Sequence, residues 1–287
     1  MSFTDRRQRF RAILAGTRCV HPGSVFDPIS ARIAEDLGFE VGMFAGSIAS
    51  FTVLGAPDIV VLTLTEFADQ IRRITRAGAL PLLVDADHGY GNALNVMRTV
   101  QELEAAGVAA MTIEDTLLPR AYGDGRTQLL SIEEGLGKVR AALAARTDPA
   151  LTIVARTSAV AVTGLDDAVE RARAYTRAGA DALFFTGIGT PEQLRAIRAE
   201  TPLPIILGGT DGDLGGRDGM GALGVRVALQ GHQPFMAAVK AVHDTLKALR
   251  EGTAPKDLAG QPSGELMKHV TRDASYAEAI RSFMGGK

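Results

Sequence analysis

The sequence predicts an α/β protein of the (β/α)8 TIM-type barrel class, on three observations. A strand–helix unit recurs along the chain, the strands read as continuous apolar runs, and 287 residues is about the length of one such barrel. The repeat emerges when glycines are aligned: DLGFEVGMFAGS (36–47), AAGVAAMTIEDT (105–116), RAGADALFFTG (177–187) and ALGVRVALQG (222–231). Each is a helix end, a glycine suited to a left-handed cap, and an apolar strand that stops at polar or small residues. An open doubly wound sheet is the competing arrangement. It carries a glycine fingerprint directly after its first strand, and VFDPISA at 25–31 does not supply one.

In chain order, strands are expected near 19–26, 41–46, 81–86, 110–115, 151–156, 182–186, 204–208 and 225–230. Between them, apolar residues at three and four spacing mark helices at 27–37, 65–76, 95–105, 131–145, 166–178 and 191–199. The eighth helix runs from Gln233 to about Arg250, and the chain continues past Pro255 and Pro262 into a helical stretch, Gly264 to Met284. Its recurring Leu266, Val270, Tyr276, Ile280 and Phe283 suit packing against the barrel or a neighbouring subunit. The expected organisation is a single barrel domain over 1–287, with 251–287 as a C-terminal helical extension.

Composition excludes several classes of function. With 46% hydrophobic and 22% charged residues and no low-complexity tract, the chain is an ordered globular protein. A net charge of −2, with Lys and Arg dispersed, argues against a nucleic-acid footprint. Cys19 is the only cysteine, so neither an internal disulfide nor a cysteine zinc cluster is available. Met1 to Arg11 is polar with no apolar run behind it, and no window reaches the roughly 18 apolar residues of a membrane span. A cytoplasmic enzyme acting on a small molecule is the expectation, with no nucleic-acid or membrane partner.

In a barrel, chemistry sits at the C-terminal ends of the strands. The third strand ends in Asp85 and Asp87, which alternation places on the same side; the fourth ends in Glu114 and Asp115, and the fifth in Arg156. Ser47 follows the second strand and His232 the eighth. Asp85, Asp87 and Glu114 offer an all-oxygen site, directly or through held waters, which suits Mg²⁺ or Mn²⁺ better than zinc. Arg156 and His232 are types that bind carboxylates across the mouth. Each residue also has a plainer reading: a Glu114–Arg156 ion pair, Ser47 as a cap, His232 as the start of a helix, the aspartates as caps or partners of Arg and Lys. Their joint placement on separate strand ends favours a site. His21, His88, His243 and His269 lack that support, although His88 adjoins the aspartates. Thr116 to Leu130, with Gly123 and Gly125 around Asp124, is long for a βα connection and reads as a lid or a surface loop.

These residues resemble the isocitrate lyase and phosphoenolpyruvate mutase superfamily. DADHGYGN (85–92), TIED (112–115), SIEEGLGKVRAA (131–142) and IVART (153–157) occur in its order, and the likeness covers most of 10–250. VFDPISARIA (25–34), the run from Asp85 to Val100, IEDTLLP (113–119) and Gly231–His232 are most similar to its Mg²⁺-dependent oxaloacetate decarboxylase branch. That resemblance implies that Asp85 is the metal ligand, that Asp87 and Glu114 hold metal-bound waters, that Ser47 and Arg156 bind the substrate, and that His232 is the branch's distinctive substrate contact. It also implies a homotetramer whose eighth helix packs on a neighbouring barrel. The lyases of the superfamily carry a catalytic cysteine after the fourth strand, where this chain reads PRAYGDGRT (119–127). The stretch Leu207 to Gly221 and Ser158–Ala159 depart from the decarboxylase pattern.

The implied reaction is decarboxylation of oxaloacetate, an α-keto acid, to pyruvate and CO2 through a metal-stabilised enolate, with Asp85, Arg156 and His232 as the catalytic set. The alternatives are a phosphonopyruvate-type C–P hydrolase or mutase, a 2-methylisocitrate-type lyase, and, in a different class, a non-catalytic dicarboxylate-binding barrel.

Overall fold

A computed structural model describes residues 2–123, 125–209 and 212–285. The chain forms two compact units, Met1–Gly231 and His232–Lys287. In the first, eight strands form one sheet in sequence order: β1 Gly23–Ser24, β2 Gly42–Phe44, β3 Leu82–Asp85, β4 Ala110–Glu114, β5 Thr152–Thr157, β6 Ala182–Phe185, β7 Ile205–Leu207 and β8 Val225–Ala228. All neighbours are parallel. Val20 closes the circle by pairing with Val227: its N–H donates to the Arg226 carbonyl at 2.9 Å and its carbonyl accepts from the Ala228 N–H at 3.0 Å. The first strand is shorter than the apolar run that predicted it because Pro22, between Val20 and Gly23, has no N–H to give to a ladder.

The helices of this unit are α1 Phe3–Ala15, α2 Pro28–Asp36, α3 Gly46–Ala49, α4 Leu64–Thr75, α5 Ala93–Ala105, α6 Ile132–Ala145, α7 Ala159–Val162, α8 Leu165–Ala178, α9 Pro191–Glu200 and α10 Gly216–Ala222. A π-helical turn, Ser50–Leu54, continues α3. Those expected from periodicity lie within about two residues of their predicted ends. The short α3, α7 and α10 are too brief to show a period. Nor was α1 expected; a capping box, in which Ser2 Oγ accepts from the Asp5 N–H and Asp5 Oδ2 from the Ser2 N–H, starts it.

Leu83, Val84, Met111, Ile153 and Val154 are fully buried, as expected of strands covered on both faces. This layer fixes where strand ends meet. In the ladder Asp85 lies opposite Thr112, and Glu114, Arg156 and Phe184 sit side by side on β4, β5 and β6.

The second unit contains α11 Gln233–Arg250, a 3-10 turn at Pro255–Asp257, α12 Gly264–Thr271 and α13 Asp273–Met284. The stretch 264–284, expected as one helical segment, is broken at Arg272, whose φ of 62° is left-handed. Along α11, Met236, Val239, Val242, Leu246 and Leu249 recur at helical spacing and are exposed.

Candidate active site

The register of β3, β4 and β5 assembles the centre of the site. Thr112 Oγ1 donates to Asp85 Oδ1 at 2.8 Å, and the Asp87 N–H donates to the same oxygen at 3.2 Å. Arg156 Nη1 pairs with Asp85 Oδ2, while its Nη2 lies 3.2 Å from Glu114 Oε2. The guanidinium carbon sits 5.3 Å from the centroid of the Phe184 ring, the next residue across the sheet. One arginine thus spans two of the predicted carboxylates.

Asp87 reaches the cluster by a different route from the one alternation predicts. The strand stops at Asp85, and Asp87 has a φ of 47° in the left-handed region that aspartate tolerates better than most residues. Gly89, Tyr90 and Gly91 follow with φ of 76°, 61° and 144°, and the Gly89 N–H closes a tight turn on the Ala86 carbonyl at 2.9 Å. Three successive carbonyls of this turn are held from outside it. Asp87 O accepts from the Glu114 N–H at 2.9 Å, His88 O from Lys138 Nζ at 2.9 Å and Gly89 O from Thr99 Oγ1 at 3.0 Å. Across from it, a Cβ placed on Gly46 would lie 2.5 Å from Asp87 Oδ1, so only glycine leaves room for that carboxylate. Ser47, beside Gly46 in the first turn of α3, is half-buried at the same place.

The electrostatics are lopsided. Burial, then repulsion from Asp85, Glu114 and Asp58, pushes the Asp87 carboxyl well above the ordinary carboxylate range. Burial also raises Glu114, against the pull of Arg156. Burial opposes the charge on Arg156, but Asp85 and Glu114 outweigh it and hold the guanidinium above its ordinary value. Asp58, missed in the sequence, joins this set. Although exposed as a whole residue, its carboxyl is raised by partial burial and by repulsion from Asp85. A lone aspartate in the loop before α4 gives no signal by type or spacing.

Arg156 thus pairs with two carboxylates, Asp85 and Glu114, while Asp87 and Asp58 add like charge beside them, and among the described residues none donates a hydrogen bond to the side chain of Asp87. An excess of buried negative charge with all-oxygen donors fits a hard divalent cation. Among the described residues, no three His, Cys, Asp or Glu side chains are gathered into a ready-made cage. Arg156 draws Asp85 and Glu114 to itself, an arrangement that fits an ion keeping several of its waters, as Mg²⁺ does, and not a closed four-ligand zinc site.

The remaining candidates separate. Asp115, beside Glu114 in sequence, turns to the other face of β4, where Arg171 Nη1 and the Tyr175 hydroxyl donate to its Oδ2 at 2.8 and 2.6 Å. His88 is buried, and burial followed by Lys138 pushes its imidazole down to about 4, so it is neutral. His21 Nδ1 lies 2.7 Å from the Ala228 carbonyl, and His243 pairs with Asp244 on the surface of α11. His232 opens the second unit as the residue before α11, with no capping bond from its side chain. In the predicted lid, Thr116 and Leu129 pair antiparallel at its root, and the Leu130 N–H donates to the Asp115 carbonyl at 2.8 Å. Most of the segment between is exposed, and Asp124 lies outside the described residues, as do Thr210 and Asp211 of the 207–221 stretch.

Comparison with known proteins is consistent along the whole chain. The family described as phosphoenolpyruvate phosphomutase matches residues 10–250. An oxaloacetate decarboxylase of Bradyrhizobium diazoefficiens is 61% identical over 287 residues, covering 100% of both chains. One of Rhodopseudomonas palustris strain BisB18 is 60% identical with the same coverage. Among solved structures, a phosphonopyruvate hydrolase complexed with oxalate and Mg²⁺ superimposes with a TM-score of 0.84 at 29% identity, over 99% of this chain and 100% of that one. An oxaloacetate acetylhydrolase in complex with the inhibitor 3,3-difluorooxalacetate gives 0.86 at 27% identity, over 99% and 98%.

Proposed function

We propose, from the premise that the chain belongs to the phosphoenolpyruvate phosphomutase family, that it is a carboxy-lyase converting oxaloacetate to pyruvate and CO2 with a divalent metal, Mg²⁺ or Mn²⁺. The observation that carries this reading is the excess of carboxylates around Arg156 at the strand ends, on a chain with full-length likeness to oxaloacetate decarboxylases.

Asp85 would hold the ion directly, with Asp87 and Glu114 holding its waters and Asp58 beside them. When bound, the ion supplies positive charge where the C2 oxygen becomes negative as the C3–C4 bond breaks. Arg156 gives up part of its pairing with Asp85 and Glu114 to the C1 carboxylate of the substrate, and Ser47 steadies the same end. His232 orients the C4 carboxylate that departs as CO2. The electron pair of the broken bond moves to the keto oxygen, and C3 takes a proton to give pyruvate. No covalent intermediate is needed, in keeping with a site that has no cysteine. Residues 116–130 act as the lid. The whole chain works as one barrel domain with 251–287 as its extension, in the cytoplasm, and the exposed apolar face of α11 supports assembly into a homotetramer.

A panel of oxaloacetate, phosphonopyruvate and 2-methylisocitrate with Mg²⁺, read separately for CO2, phosphate and succinate, tests this. Pyruvate and CO2 from oxaloacetate are expected. Phosphate release from phosphonopyruvate as the faster reaction would replace this reading by C–P hydrolysis, and tight oxaloacetate binding without turnover would replace it by a binding barrel.

A further inference from the structure

Lys138 is a buried cation that the reaction does not use. It lies on α6 among Gly135, Val139 and Ala142, the face that packs into the core, and only 4% of it is exposed. An amphipathic helix places an apolar residue at such a position, because an ammonium there loses most of its hydration. Burial accordingly lowers its pKa, opposed by Glu134, Glu114 and Asp115. Its hydrogen bond is to the carbonyl of His88, at 2.9 Å, in the middle of the turn that carries Asp87. His88 is equally buried, and its Nδ1 has no partner among the described residues, so the backbone and not the ring is what Lys138 grips.

The turn needs such a grip. Asp87, Gly89, Tyr90 and Gly91 all have positive φ, a run that ordinary local preferences do not maintain. Its neighbouring carbonyls are held by a backbone amide of β4 and a hydroxyl of α5. Lys138 adds a charge-assisted bond to the carbonyl between them, from a third direction. Without it the turn loses its hold at the residue next to Asp87, whose carboxylate is repelled by Asp85 and Glu114.

We infer that Lys138 is a positioning residue for the metal site: by holding the His88 carbonyl it fixes the left-handed turn and aims Asp87 at the cation. This rests on the reading that Asp85, Asp87 and Glu114 hold a divalent ion.

The test is Mn²⁺ binding by metal-stripped protein, followed through the electron paramagnetic resonance signal of unbound Mn²⁺. Wild type is compared with Lys138→Met, which keeps the stem and loses the donor, with Lys138→Arg, which restores a cationic donor, and with Arg7→Met, which removes a buried cation from the opposite end of the barrel. Loss of a group that orients a metal ligand weakens metal binding by about 10–100-fold. Lys138→Met, folded by circular dichroism, should raise the Mn²⁺ Kd at least about tenfold. Lys138→Arg should stay within about threefold of wild type. Arg7→Met should lower Tm while its Mn²⁺ Kd also stays within about threefold. Wild-type affinity in folded Lys138→Met would overturn the inference, as would Lys138→Arg binding as weakly as Lys138→Met, or Arg7→Met losing as much affinity. Failure of both Lys138 variants to fold would overturn it too, by assigning the lysine to the barrel itself. If wild type binds no Mn²⁺, the metal reading falls first and the inference with it.

Discussion

The two ends of the barrel both bury charge, and they treat it in opposite ways. At the N-terminal end, Arg7 on α1 donates to the Val108 and Glu104 carbonyls at 3.0 and 2.6 Å and to Asp148 at 2.7 Å. The Glu104 carboxylate accepts from the Thr147 N–H and hydroxyl and from the Asp148 N–H. An open surface pocket of about 410 Å³ lies there, lined by Thr4, Arg7, Gln101, Glu104 and Asp148 among others, yet every charge beside it has a partner. At the C-terminal end, carboxylates outnumber cations and, among the described residues, none donates to the side chain of Asp87. Two aspartates summarise the contrast. Burial alone would raise Asp148, but hydrogen bonds from Arg7, Ala150 and Thr4 and the charge of Arg7 together outweigh it and bring the carboxyl below its ordinary value, whereas burial and like charge push Asp87 well above it. Balanced charge closes a fold; unbalanced charge waits for a ligand.

The comparison is most severely tested by Asp85→Ala. Removing the proposed direct ligand should cost at least about a thousandfold in kcat, ~4 kcal/mol, with the fold retained. Wild-type activity and metal dependence in that variant would remove Asp85 from the site. Next comes Arg7→Met, which leaves Glu104 and Asp148 short of a partner and should cost about 3 kcal/mol of stability in urea unfolding, with kcat unchanged. A fall in kcat without loss of stability would break the distinction between the ends.

Asp87→Asn should do something less usual. It relieves repulsion, so the metal-free protein should gain about 1–2 kcal/mol at neutral pH while losing metal affinity. The sign follows from linkage. A carboxyl whose folded pKa is raised contributes stability below its unfolded value and loses it as pH rises through the folded one. The advantage of Asp87→Asn over wild type should therefore shrink as pH is lowered through the raised folded value and vanish at the ordinary carboxylate range, read as Tm without metal. For Asp148 the dependence reverses: its contribution is present above the unfolded pKa and fades only as pH falls through the lowered one. The smallest effect belongs to His232→Ala, which should reduce kcat/KM for oxaloacetate by about tenfold, ~1.4 kcal/mol, and shift preference among α-keto acids.

Much of this contrast is legible in the sequence. Each strand end announces itself by an apolar run that stops at charge, which is why Asp85, Glu114 and Arg156 stand out in the chain by themselves. Alternation also separates Glu114 from Asp115, and the structure pairs Asp115 with Arg171 and Tyr175 on the far face. The same rule misjudges Asp87. The pleat ends one turn too early, and a φ of 47° brings its carboxylate round where the strand would not. Asp58 is silent in the sequence because a single aspartate in a loop has no period or motif to betray it. Lys138 does leave a trace, as a charge on the apolar stripe of α6, but the carbonyl it serves is some 50 residues away, and only the tertiary fold joins them. The helix α1 hides for a related reason: its buried Arg6 and Arg7 look like surface residues until their partners are known.

Gly46 carries a consequence for reading other sequences. Because a methyl group there would strike the Asp87 carboxylate at 2.5 Å, the two positions form a steric pair separated by 41 residues. A homologue with alanine at the first and aspartate at the second must move one of them. Among relatives known only as sequences, that single glycine therefore sorts chains able to keep this arrangement from those that have rebuilt it.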